Sequence, residues 1–164
     1  EDKYDVILLH DVIEHVPTKE PFLAHLRKFM KTKGVLFVGF PAWQMPFGGH
    51  QQICRSKLCS HLPFIHLLPN HLYKLLLKTC NEEKGTMNEL MSIKECRTSI
   101  ELFERLIHQC SFSVTDQKLW FINPHYKQKF HLTPRLLPHW VWKMKYIRNF
   151  FTTSCWYILT ISHK

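Results

Sequence analysis

The first forty-one residues read as one strand–helix–strand unit, and this constrains the fold more than any other feature of the chain. Tyr4-Asp5-Val6-Ile7-Leu8-Leu9 is an apolar run of strand length, rich enough in aliphatics to predict a strand buried on both faces. Thr18 stands where a helix N-cap is expected, and Glu20 falls in the first turn, where a carboxylate meets the positive end of the helix dipole. Phe22, Leu23, Leu26, Phe29 and Met30 recur at spacings of three and four, which makes one apolar stripe. Lys31 and Lys33 crowd the end, and Gly34 is placed to supply a left-handed stop. Val35-Leu36-Phe37-Val38-Gly39-Phe40 then reads as a second buried strand closed by Pro41. Two strands joined this way are expected to be parallel with a right-handed crossover.

Residues 42–97 behave differently. Pro46, Gly48, Gly49, Pro63 and Pro69 interrupt them, and apolar clusters such as Leu67-Leu68 and Leu75-Leu76-Leu77 suggest short helices between the breaks. An excursion of this length after a strand predicts a largely helical insertion, or lid, over the strand ends. Its apolar stretch Leu62–Pro69, with Leu72, Tyr73, Leu75 and Leu76, reads as a satellite core, or as a cap for a hydrophobic substrate or a membrane surface. Regular pattern returns at Thr98-Ser99-Ile100-Glu101, which fits a capping box. Leu102, Phe103, Leu106, Ile107 and Cys110 follow as the buried face of a helix. Val114–Ile122 reads as a strand, 124–150 as a basic aromatic excursion, and Trp156–Ile161 as the last strand. The fold expected is α/β, a partial doubly wound sheet within a single domain spanning 1–164.

At 164 residues with 45% hydrophobic and 21% charged side chains, the composition excludes a disordered chain. No apolar run approaches the ~20 residues of a membrane-crossing helix. Six Cys are too few for a disulfide scaffold and, with no secretory signal in view, predict reduced thiols and a cytoplasmic setting. The chain begins at Glu1 in the middle of a structural pattern and reads as one piece of a longer polypeptide. The net charge of +9 is unevenly placed: residues 124–164 carry seven Lys and Arg and no Asp or Glu. Interleaved with Trp140, Trp142, Tyr146, Phe150, Phe151 and Trp156, that excess suits phosphates, anionic lipid or an acidic substrate.

Ligands of open α/β sheets bind beyond the carboxyl ends of the parallel strands. There the sequence places His10-Asp11-Val12-Ile13-Glu14-His15-Val16-Pro17, two acids and two imidazoles in six residues. Elsewhere, His50, Cys54, Cys59 and His61 have ligand types suited to zinc, but their spacing matches no established pattern. They read as ordinary thiols and loop histidines, and no metal site is expected.

The run Tyr4–Pro17, the helix after it and Lys33-Gly34-Val35-Leu36-Phe37-Val38-Gly39-Phe40-Pro41 together resemble the second half of a class I S-adenosylmethionine-dependent methyltransferase. In that Rossmann-like family the fourth strand ends in a D-V-L-E-H-V type turn, followed by a helix and a G-G-x-L strand. The helix near 99–110 and the strands at 114–122 and 156–161 look like the family's last helix and closing strand pair, the final strand antiparallel. Lys33 stands where the family often has Gly. The family's Gly-rich cofactor loop has no counterpart in these 164 residues, which hold five Gly and no G-x-G turn. That loop and the first three strands are expected upstream.

The resemblance implies that His10, Asp11 and Val12 line the methionine end of S-adenosylmethionine. It implies methyl transfer to a small-molecule or lipid-like acceptor, with peripheral membrane contact. His15 and His50 are candidate catalytic bases, because imidazole titrates near neutrality. Glu14 reads as a structural hydrogen-bond acceptor. The competing class is a non-catalytic α/β module that holds nucleic acid or anionic lipid through the basic aromatic segment.

Overall fold

The computed structural model describes residues 3–162; Glu1, Asp2, His163 and Lys164, the last counted in the basic segment, lie outside them. The strand–helix–strand unit forms. Strands β1 (Tyr4–His10) and β2 (Met30–Phe40) are parallel, and α1 (Lys19–Lys28) connects them. Leu23 of α1 is fully buried in the main core, with Phe22 and Leu26 packed beside it. The apolar stripe outlasts the helix, however: Phe29 caps α1 and Met30 opens β2. Thr18 is the N-cap by position, but its side chain makes no capping hydrogen bond.

Gly34 is not a helix stop. It lies inside β2, and no glycine among the described residues has a positive φ. Close approach explains it better: a Cβ there would sit 2.9 Å from the Tyr4 carbonyl oxygen, where the β1–β2 register slips.

The sheet is mixed, with strand order β1-β2-β5-β3-β4, where β3 is Phe112–Ile122, β4 Arg135–Leu136 and β5 Ser154–Ile161. β5 lies between β2 and β3, antiparallel to both. Among the described residues β1 and β2 are the one pair of neighbouring strands that runs parallel. The expectation that β1 is buried on both faces fails. It is an edge strand among the described residues, and Tyr4 (53% exposed), Val6 (55%) and Leu8 (71%) face outward while Ile7 and Leu9 pack on the core. An aliphatic run reports a tendency to be covered, but not which element does the covering.

The insertion is largely helical, as expected: α2 (Lys57–His61), α3 (Asn70–Thr79) and α4 (Lys84–Cys96). It builds its own small core from Cys54, Cys59, Ile65, Tyr73, Leu77 and Leu90. Two buried polar side chains fasten it. The His66 Nε2 lies 2.8 Å from the Trp43 carbonyl oxygen, and the Lys94 ammonium donates to the carbonyls of His66 and Leu68. Beyond it, α5 (Ile100–Gln109) is capped by Ser99, whose hydroxyl accepts from the Leu102 amide at 3.1 Å. The cap therefore sits one residue later than the capping box places it. Glu101 turns instead to the excursion of α6 (His125–Phe130), α7 (His139–Trp142) and α8 (Arg148–Phe151). There Arg148, itself buried, donates to Glu101 at 2.8 Å and to Glu104 at 2.6 Å.

Candidate functional site

Because β1 and β2 are parallel and paired through His10 and Gly39, their carboxyl ends reach the same rim of the sheet. The chain turns there at once. Asp11 adopts a left-handed conformation (φ 53°), and its amide donates to the Gly39 carbonyl at 2.8 Å. The His10 ring stacks over Phe37 with an interplanar angle of 9°, and its Nδ1 meets the Asp11 carboxylate at 2.9 Å. A side chain at Gly39 would press on that ring, since a Cβ would stand 3.0 Å from the His10 Cδ2. His10 and Asp11 line a groove of about 550 Å³, shared with Asn123, His125, Gln128 and Trp156. Val12 does not line it; it is partly exposed and precedes a 3-10 turn at Ile13–His15.

That turn is rooted by Ile13, which is fully buried in the main core. Glu14 and His15 follow it, and the structure brings His50 to them from thirty-five residues away. The loop delivering His50 is tightly held. A Cβ at Gly48 would collide with the Trp43 carbonyl, and one at Gly49 with the His66 side chain. Both positions therefore exclude larger residues. His50 itself is left-handed (φ 57°). Its ring meets that of His15 edge to face at 5.0 Å, and its Nε2 lies 4.0 Å from Glu14 Oε1. Ligating atoms of Glu14, His15 and His50 all fall within 4.8 Å of one another.

The sequence reading of Glu14 needs correction. Both carboxyl oxygens are buried, and neither has a hydrogen-bond partner among the described residues. Burial pushes its pKa up to about 8, with Asp11 adding to the rise, while the approach of its own backbone amide, too poorly aligned for a full hydrogen bond, and Lys19 oppose it. Burial, and then His15, hold the His50 pKa below the ordinary imidazole value, while Asp11 and Glu89 oppose them. The site thus pairs a carboxyl that favours its neutral form with an imidazole that favours its neutral form. Ionisable groups perturbed by burial and brought together in this way are a mark of functional sites.

The zinc quartet considered from sequence dissolves. Cys54 and Cys59 are buried in the insertion core, where burial raises their thiols to about 11 and about 12. His61 is exposed on α2 and bonds Ser60 and the Lys57 carbonyl, while His50 faces Glu14. The one pointer to Glu14 in the sequence is its place beside His15 in the bend.

Scanned against models of protein families, the chain matches none. A search of curated proteins likewise finds no match.

Proposed function

We propose that the chain carries the acceptor-facing part of an S-adenosylmethionine-dependent methyltransferase that acts on a small-molecule or lipid-like acceptor. One observation carries this reading: the parallel pair β1–β2 delivers the His10–His15 bend to its carboxyl rim, where His50 joins it. Two further features support it. The last strand runs antiparallel between its neighbours, as the resemblance implies, and a helical insertion follows β2.

The residues at the groove suit one end of the cofactor. A carboxylate at Asp11 and the indole of Trp156 are the groups that would receive a sulfonium cation or an α-amino group. When bound, S-adenosylmethionine supplies an electrophilic methyl group, so the protein need not activate the donor. Its own residues orient the acceptor, keep water away and take up a proton where the acceptor carries one. His15 and His50 stand beside each other for the last task. His10, braced on Phe37 and tied to Asp11, keeps the Asp11 carboxylate at the groove.

The non-catalytic reading rests on a different surface. Trp140 and Tyr146 are 70% and 68% exposed, beside Lys143 and Lys145. Calorimetric titration of the full-length protein separates the two. Saturable binding of S-adenosylmethionine, weakened in Asp11→Ala, supports the enzyme. Absence of cofactor binding, alongside salt-sensitive binding of RNA or anionic vesicles, supports the module.

A further inference from the structure

We propose that Glu14, His15 and His50 form a binding site for one divalent transition-metal cation of the zinc class. The inference goes beyond the proposed methyl transfer and does not depend on it.

Three observations converge. The first is the donor set: two imidazoles and one carboxylate, with ligating atoms within 4.8 Å of one another. Two histidines and a glutamate are a ligand set of catalytic zinc sites, which hold three protein ligands and leave a fourth position open. Imidazole donors favour zinc and its first-row neighbours over magnesium or calcium, which prefer oxygen shells. The second is the unmet need of Glu14. Its side chain is 5% exposed, and neither carboxyl oxygen has a donor among the described residues. Buried polar groups are nearly always partnered, so one aimed at two imidazoles without a partner asks for a third party. A cation would meet the buried carboxylate and the lone pairs of both imidazoles at once.

The third is preorganisation. Glu14 and His15 sit on one turn anchored by Ile13 in the core, and Gly48 and Gly49 lock the loop that carries His50. The His50 Nε2 to Glu14 Oε1 distance is 4.0 Å. Tetrahedral zinc with bonds near 2.1 Å places its donors about 3.4 Å apart, so closing the site needs only side-chain rotation. A cation held there with an open position would bind an acceptor oxygen and make its hydroxyl more acidic. In the loaded protein His15 and His50 would be ligands and not bases, and the proton lost by the bound hydroxyl would pass to solvent.

The test is titration of chelator-treated full-length protein with zinc chloride, without S-adenosylmethionine, so that its outcome is independent of methyl transfer. One equivalent should bind, and His50→Ala and Glu14→Gln should each weaken binding at least about tenfold. His61→Ala, which removes an exposed imidazole outside the site, should leave it unchanged. His50 lies on a surface loop and is a quarter exposed, so His50→Ala keeps the fold and circular dichroism verifies this. Cobalt substitution gives a second readout: intense visible absorption of a four-coordinate centre is expected in the wild type and absent in His50→Ala. Stoichiometric zinc binding that survives both site variants, or no binding by the folded wild type, would overturn the proposal.

Discussion

A buried carboxyl with no hydrogen-bond donor is an expense to the fold, and Glu14 is the residue where that expense is concentrated. Glu14→Met fills a similar volume and removes the unpartnered oxygens. In the presence of a chelator it should raise the unfolding free energy by about 1–3 kcal/mol, read as a higher urea midpoint at unchanged slope. The same variant should lose methyl transfer. Gain of stability with loss of function is the pattern expected where a site holds polar groups for chemistry. Equal or lower stability in Glu14→Met would show that the carboxyl has a partner after all. At this scale the sequence was informative about residue types and mute about their meeting. His15 and His50 stood out as imidazoles near strand ends, but nothing local says that a loop locked by Gly48 and Gly49 folds back to place one ring on the other. Glu14 looked like an ordinary acceptor because its neighbours in sequence offer donors that the three-dimensional turn directs elsewhere.

Among the elements, the insertion depends on His66, which is fully buried and bonds the Trp43 carbonyl through Nε2. Burial lowers its pKa to about 4, with Lys94 and His50 adding to the fall and the bond to Trp43 opposing it. The unfolded chain therefore binds a proton that the folded chain refuses. Stability from this group is complete above pH ~6.5 and is lost as pH falls toward ~4, by up to roughly 3 kcal/mol. Urea midpoints measured from pH 7 down to 4.5 should fall accordingly. His66→Phe should be less stable at pH 7, because Trp43 loses its donor, yet show a flatter pH dependence. A midpoint independent of pH in the wild type would contradict the burial of a neutral imidazole. The regular elements were legible because each carries its own pattern: the stripe of α1, the continuous apolar run of β2, the face of α5. Boundaries were less so. Gly34 has the composition of a helix stop, but its position is decided by the Tyr4 carbonyl across the strand pair. The short β4 has no periodicity to read and exists through its pairing with β3.

For the whole molecule, Arg148 joins the basic excursion to the body of the protein. It is 6% exposed and spans Glu101 and Glu104, while Asn149 donates to Glu101 and to the Tyr146 carbonyl. Arg148→Met leaves two carboxylates without their cation and should cost about 3–5 kcal/mol, measured by urea unfolding. A cost below 1 kcal/mol would mean that solvent replaces the guanidinium. Arg148 also shows why net charge alone misleads, since this cation is engaged within the fold and unavailable to a partner. At one end of the sheet, β1 is an edge strand among the described residues, with Tyr4, Val6 and Leu8 exposed. A strand edge of this kind promotes association. The 164-residue chain should therefore self-associate in light scattering, and Leu8→Lys should reduce that.

Whether S-adenosylmethionine binds at the His10–His15 bend is the central test of the proposed function, and hydrogen exchange read by mass spectrometry answers it directly. On adding the cofactor to the full-length protein, peptides covering residues 8–16 should become protected, through the His10–His15 bend. Unchanged exchange across that bend, or protection within these residues confined to 124–151, would contradict the methyltransferase reading.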